Sequence, residues 1–351
     1  MPSGFLIYGS YGYTGELIVQ EALRRGLSPI LAGRDRIRLQ TQAASFDLPF
    51  RAFALVDPAV VDAALADVAA VIHCAGPFSQ TYRAVVDSCL RTATHYLDIT
   101  GEMDVLEGLH ALDGGAREAG VMLLPGAGFD VVLLDCLAAH LKRRLPSATR
   151  LTLAVQAVGH PSRGTVATAV GSLHRGGLVR RNGALVPVAA ASRTRDVDFG
   201  RGPVEAVTIP LGDVVTAYYS TGIPNVEVYV ALPAPLRGVM AIADRLERLV
   251  GSRLVRWFLK MWVDALPVGP LEEDRAKGES RLWGEAENGS GRRVAARLRG
   301  PEIYDLTAQA AVSVMERVLG GEAPAGFQTP SLAYGADFVL GLRDVHREDV
   351  T

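Results

Sequence analysis

Two hydrophobic rhythms alternate through the first 130 residues. Short, fully apolar runs give way to stretches in which apolar residues recur every three or four positions. The first rhythm predicts strands buried on both faces and the second amphipathic helices. Phe5-Leu6-Ile7-Tyr8 is the first such strand. Leu17, Ile18, Ala22 and Leu23 mark the helix that follows, closed by Gly26. Pro29-Ile30-Leu31-Ala32 is a second strand, and Ile37, Leu39 and Ala43 suit a second helix. Further strands are expected at 51–56, 69–74, 95–99 and 121–124. Strand and helix in strict alternation predict a parallel sheet between helix layers.

The turn between the first strand and helix reads Gly9-Ser10-Tyr11-Gly12-Tyr13-Thr14-Gly15. Strand, glycine turn and helix in that order form the crossover that holds a dinucleotide diphosphate. Gly9 permits the tight turn, Gly12 lets the backbone approach the phosphates, and Gly15 lets the helix pack close to the strand. The helix N-terminus then presents N–H groups and a partial positive charge to the anion.

The second strand ends about twenty positions further on, where a ribose-binding residue is expected. NAD sites place Asp or Glu there to accept the 2′-hydroxyl. This chain has Gly33 followed by Arg34, with Arg36 and Arg38 close behind. A guanidinium pairs with a 2′-phosphate where a carboxylate would repel it. The sequence therefore favours NADP(H) over NAD; the alternative use of Arg34 is solvation of a helix start. Asp57, after the third strand, suits either the adenine or the cap of the next helix.

The 351 residues suffice for two domains, and 49% apolar content allows sizeable cores. A formal charge of −2 gives no case for nucleic acid. Cys74, Cys89 and Cys136 show no Cys-x-x-Cys spacing, so neither a disulfide framework nor a metal site is expected. No basic stretch followed by an apolar run opens the chain. A secretory leader is thus not expected, and the cytoplasm is the expected compartment.

Ligands of parallel sheets bind beyond the carboxyl ends of the strands. Three of those ends have unusual composition: Cys74-Ala75-Gly76-Pro77-Phe78, Thr100-Gly101-Glu102 and Gly128-Phe129-Asp130. The first is expected beside the nicotinamide ribose. Glu102 and Asp130 are candidate acids, with helix capping as the structural alternative, and Asp98 can brace the sheet. Tyr82 is a third candidate proton donor that can instead cover the cofactor. His73, inside an apolar strand, reads as a core histidine, and Cys74 as packing.

The ordered set of motifs resembles the saccharopine dehydrogenase-like oxidoreductases, and within them the branch of trans-acting enoyl reductases. It runs from Tyr8–Gly15 through Leu31-Ala32-Gly33-Arg34, 73–78, 95–102 and 125–130 to Gly326-Phe327-Gln328-Thr329-Pro330-Ser331. One departure is the run Val132-Leu133-Leu134-Asp135, where many relatives carry Val-Pro-Ser-Asp; any polar role of that serine is in doubt here. The resemblance implies a Rossmann-type doubly wound parallel sheet with an inserted α+β second domain. It also implies NADPH-dependent reduction of an activated C=C bond in a lipid, polyketide or terpenoid intermediate, presented as a small molecule or on a carrier. Imine (C=N) chemistry of the saccharopine type is the alternative, and a non-catalytic NADP-binding sensor or scaffold a third.

The expected division is 1–130 plus about 325–351 for the nucleotide domain and 131–324 for a substrate and dimerisation domain. A helix at 131–145 leads out of the first, and residues 151–157 alternate as a half-buried strand. A helix is expected over 163–178, strands at 204–209, 226–232 and 294–298, and a helix over 307–319. Arg163, Thr165, His174, Tyr218 and Tyr219 are polar or aromatic groups able to face a cleft. Residues 236–266 repeat apolar positions at helical spacing among six basic residues and three acidic ones. The charges are too frequent for a membrane span. Such a helix can lie on an anionic membrane or meet a lipid; the commoner uses are domain cover and a homodimer contact.

Overall fold

The computed structural model describes residues 4–159, 162–164, 166, 177–188, 193–209, 211–232, 261 and 266–350. The chain divides into two compact units. The first comprises Met1–Val132 and Tyr304–Leu342, the second Leu133–Ile303 and Arg343–Thr351.

The first unit is a seven-stranded parallel sheet with flanking helices. Its elements are β1 (Phe5–Tyr8), α1 (Tyr13–Arg24), β2 (Ile30–Gly33), α2 (Arg36–Phe46), β3 (Phe50–Ala52), α3 (Pro58–Leu65), β4 (Ala70–His73) and α4 (Phe78–Thr92). β5 (His95–Asp98), α5 (Met103–His110), α6 (Asp113–Glu118), β6 (Met122–Leu124) and the start of α7 (Phe129–Arg144) follow. With β15 (Gly326–Phe327) from the later part of the chain, the strand order β15-β6-β5-β4-β1-β2-β3 reverses direction beside β1. That is the doubly wound arrangement, and its crevice lies at the carboxyl ends of β1 and β4. Leu6, Ile7, Leu31, Ile72 and Leu97 are fully buried; burial of each such side chain contributes about 1.5–3 kcal/mol.

β3 is shorter than its apolar run suggests and ends at Ala52. It is the edge strand, half-buried throughout, and its continuation keeps one bond, from Phe53 N–H to the Gly33 carbonyl at 2.9 Å.

The second unit is built on a nine-stranded mixed sheet: β7 (Ala148–Val158), β8 (Gly177–Arg181), β9 (Ala184–Val188), β10 (Thr194–Asp198), β11 (Pro203–Thr208), β12 (Asn225–Val230), β13 (Glu279–Asn288), β14 (Arg293–Pro301) and β16 (His346–Asp349). Helices α8 (Asp213–Thr221) and α9 (Glu272–Arg275) punctuate it. The end of α7 packs on one face at Gly284, where an added Cβ would lie 2.7 Å from Leu141 and 3.2 Å from Leu137. On the sheet a second cluster gathers Ala154, Phe199, Tyr229 and Trp283.

Two expectations are corrected. The helix expected to run to residue 178 does not, because Gly177–Arg181 is a strand antiparallel to β9; most of 163–176, with Thr165 and His174, lies outside the described residues. The nucleotide unit resumes at Tyr304 rather than near 325 and ends at Leu342. Helix α10 (Ile303–Leu319) returns to it because Arg25 of α1 pairs with Glu316 at 2.8 Å and donates to Ser313 at 2.9 Å. β15 (Gly326–Phe327) then pairs with β6, and α11 (Pro330–Tyr334) follows. β16 instead pairs antiparallel with β14 in the second sheet. The pattern over 236–266 lies outside the described residues apart from Met261 and Leu266. No helix among the described residues is long and apolar enough to cross a membrane.

Candidate active site

The glycine turn has the geometry its residues call for. Gly9 adopts φ +86°, in the left-handed region. A Cβ on Gly15 would fall 2.2 Å from the Gly9 carbonyl oxygen, so only glycine lets α1 start this close to β1. α1 opens at Gly12 without a side-chain cap, which leaves its first turn to bind an anion. Tyr13 packs edge-on against Tyr304 at 5.1 Å, and Thr14 is half-buried beside it. Ser10 is turned inward: its hydroxyl donates to Gln42 Oε1 at 2.8 Å, and Gln42 Nε2 donates to the Ser10 carbonyl at 2.8 Å. That reciprocal pair fixes the turn to α2.

Tyr11 is the residue whose task the sequence did not disclose. Its ring lies over Gly33, where an added Cβ would meet Tyr11 Cε1 at 2.5 Å. Its hydroxyl accepts from the N–H groups of Arg34 at 3.2 Å and Asp35 at 3.1 Å. Arg38 stacks on the ring at 4.5 Å and donates to the Tyr11 carbonyl at 2.9 Å. Asp35 caps α2, accepting from Ile37 and Arg38 N–H. Four N–H groups at the end of β2 are therefore engaged by the chain itself. Gly33 is less an opening for phosphate than the space Tyr11 needs. The clue was the pairing of an aromatic in the glycine turn with a glycine at the ribose position.

Asp57 caps α3 through Ala59 N–H at 3.0 Å. After β4, Cys74, Ala75, Gly76, Pro77 and Phe78 form the turn into α4. Burial pushes the Cys74 thiol up, away from the reactive thiolate. His73 is fully buried, and burial lowers its pKa to about 3. Its Nε2 lies 2.8 Å from the Thr81 hydroxyl, which also lies 2.8 Å from the Ala75 carbonyl. The carbonyl can only accept, so Thr81 donates there and accepts from His73 Nε2–H. His73 is a neutral core histidine.

The two carboxylates at and just after the end of β5 hold backbone. Asp98 accepts from Tyr96 Oη at 2.8 Å and from Thr100 N–H and Gly126 N–H, both at 2.9 Å. Burial outweighs these three donors and raises its pKa to about 6. Glu102 accepts from Phe78 N–H at 2.8 Å and Ser79 N–H at 3.0 Å, closing the N-terminus of α4. Tyr82 lies a turn further along α4, with its hydroxyl against Gly108 of α5, 2.5 Å from where a Cβ would be. Asp130 is differently placed. Its carboxyl stands over Gly101, 3.1 Å from the position of an added Cβ. Surrounding protein raises its pKa to about 6, although the side chain keeps access to solvent. At its neighbour Phe129, the N–H donates to Thr307 of α10 at 3.0 Å.

A doubly wound sheet with an uncapped glycine turn at its switch point is the arrangement of a dinucleotide-binding domain. Residues 5–124 match the family model of the saccharopine dehydrogenase NADP binding domain. Over this stretch the chain is similar to the saccharopine dehydrogenase-like oxidoreductases, and the matching model is that of a domain that binds NADP. It is 27% identical over 154 residues to the saccharopine dehydrogenase-like oxidoreductase of Bos taurus, across 38% of this chain and 36% of that protein. It is 30% identical over 150 residues to the trans-acting enoyl reductase of Mycobacterium leprae, across 40% and 35% respectively. The chain thus spans about a third of the length of these relatives. Apo saccharopine dehydrogenase (L-Glu forming) from Saccharomyces cerevisiae superposes over 100% of both chains with a TM-score of 0.69 at 13% identity, a likeness of fold.

Proposed function

We propose that the chain is an NADPH-dependent reductase of an electron-poor C=C bond, of the enoyl type, in a lipid, polyketide or terpenoid intermediate that is free or carried on a partner protein. The observation that carries the cofactor half is the engagement of the four N–H groups around β2. Recognition of a 2′-phosphate then falls to side chains. The Tyr11 hydroxyl accepts two N–H bonds and keeps its own proton to donate, and the exposed Arg34 and Arg38 guanidinium groups supply charge. The nearby Asp35 carboxylate opposes an anion, which makes those arginines the more necessary.

Bound NADPH supplies the hydride. The protein binds the diphosphate on the first turn of α1, orients the cofactor and excludes water. Asp130 is the group proposed to hold the proton. Its carboxyl stays protonated to about pH 6, and its lone pairs are not committed to α4 as those of Glu102 are. Likeness to a trans-acting enoyl reductase supports the C=C substrate. The basic apolar repeat over 236–266 suits contact with an anionic lipid surface or a second copy of the chain.

NADPH oxidation should be followed with enoyl thioesters and enones, and in parallel with imines, for wild type and Asp130→Asn. The expected wild-type rate with the C=C substrates falls as pH rises through about 6, because the protonated acid is lost. Asp130→Asn should lower it about 100-fold and remove that limb. Turnover of imines alone, or an unchanged pH profile in the variant, would overturn this assignment.

A further inference from the structure

The second unit contains a cavity of about 530 Å³, a size typical of small-molecule sites. It is charged where such sites are usually apolar. Arg150, Arg180, Arg181, Arg193, Arg195 and Arg293 line it against three carboxylates, Glu227, Glu285 and Glu287, an excess of three positive charges.

Strand register explains how they gather. Glu227, Thr152 and Glu285 are cross-strand partners on β12, β7 and β13. Two residues back on β7, and so on the same face, Arg150 is flanked by Asn225 and Glu287, and Glu287 pairs in register with Arg293. Each carboxylate has its own cation. Glu227 pairs with Arg193 and also accepts from Tyr229 Oη at 2.8 Å. Glu285 pairs with Arg195 at 2.8 Å and Glu287 with Arg293 at 3.1 Å. Arg195 additionally reaches the Thr152 hydroxyl at 3.3 Å and stacks on Trp283 at 4.9 Å. Arg180, buried, donates to the carbonyls of Val214 and Gly183 and stacks on Tyr218 at 4.2 Å.

Arg150 and Arg181 stand apart from this matched set. Both are exposed at the rim. Arg181 is 4.0 Å from Glu227, a carboxylate Arg193 already holds. Arg150 has no ion-pair partner among the described residues. A merely solvated ion-pair face would balance its charges. A concave surface with excess guanidinium focuses a positive field and draws anions, and the planar forks match carboxylate or phosphate oxygens in pairs.

We infer that this cavity is a binding site for a small organic polyanion, a phosphate ester or a polycarboxylate, with Arg150 and Arg181 as its principal contacts. All its described lining belongs to the second unit and none of it to the glycine turn, so the inference does not depend on the proposed reaction.

The 351-residue chain, saturated with NADPH so that the glycine turn is occupied, should be titrated calorimetrically with inorganic pyrophosphate and, separately, with citrate. Expected is binding with Kd of about 10–100 μM. The pair Arg150→Gln and Arg181→Gln should weaken it about tenfold or more and leave NADPH affinity unchanged. Both residues are exposed, and an unaltered melting temperature without anion checks that the variant is folded. Tighter pyrophosphate assigns a phosphate ester, tighter citrate a polycarboxylate. Absence of binding at millimolar anion, or a double variant that binds like wild type, would overturn the site. So would a variant that only loses self-association in sedimentation while wild type binds neither anion, since the face would then be an interface between copies.

Discussion

The two sides of the first sheet use the carboxyl ends of their strands in opposite ways. Beside β1 and β2, the chain satisfies the backbone N–H groups with its own Tyr11 and Asp35, and side chains are left to face an anion. Beside β4, β5 and β6, backbone N–H groups absorb the acidic side chains: Asp98 takes two and Glu102 two more. A carboxylate at a strand end is available for chemistry only if its lone pairs are not already holding the turn together. Asp130 meets that condition better than Glu102 or Asp98.

The strongest test removes a brace. Asp98→Ala leaves the Tyr96 hydroxyl and two N–H groups without their acceptor in a buried site. Chemical denaturation should show a loss of roughly 3–5 kcal/mol; a loss under 1 kcal/mol would mean the loop after β6 is held by other contacts. On the other side, Gly33→Asp puts a side chain where the Tyr11 ring lies and a negative charge near the 2′-phosphate. NADPH binding, followed by fluorescence, should weaken about 100-fold with NADH far less affected.

Tyr11→Phe is a finer probe because it keeps the ring over Gly33. Loss of the hydroxyl should weaken NADPH about tenfold and leave NADH unchanged. If Tyr11 has instead to leave before the cofactor enters, the same variant will bind NADPH more tightly, so the sign decides. The last probe is a pH slope, which is small in wild type. His73 has a depressed folded pKa of about 3, so its contribution to stability is lost as pH falls below about 6.5. Asp98, raised to about 6, acts in the opposite sense between about pH 4 and 6. The two nearly cancel in wild type. Replacing His73 with Phe leaves Asp98 alone, and the stability difference from wild type should shift in favour of the variant by roughly 2–3 kcal/mol between pH 7 and pH 4.5. A difference that stays constant with pH would show that His73 does not titrate as placed.

Much of the first unit was legible because several signals agree there. Gly9, Gly12 and Gly15 serve turn, approach and packing at once, and the apolar runs of β1, β4 and β6 allow no other buried element of that length. The edges were harder to read. The run at 51–56 looks as apolar as β4, yet Arg51 leaves its row to pair with Asp67 at 2.6 Å and the strand ends at Ala52. The periodicity at 307–319 announces a helix, but not that Arg25 and Gly128 belong to its surroundings. β16 reads His-Arg-Glu-Asp and has no apolar alternation; pairing with β14 alone makes it a strand. At the candidate site, residue type located Glu102 and Tyr82 near the right turns, but not the partners that engage them, because those N–H groups and Gly108 lie 23 to 26 positions away.

The chain passes between its two units three times, after Val132, Ile303 and Leu342. During synthesis, the first six strands of the nucleotide sheet leave the ribosome with one edge of β6 open. Its neighbour β15 is made only after 200 further residues, and α10 only after the whole of β14. An unpaired edge is a template for wrong partners, so the intervening sheet assembles while the earlier one is still exposed. The final strand, β16, closes the second sheet last of all. Neither unit is a contiguous segment that could be cut out and carried elsewhere, and the vulnerable interval in this protein's life is the time between the synthesis of β6 and that of β15, a stretch in which a chaperone would find β6 uncovered.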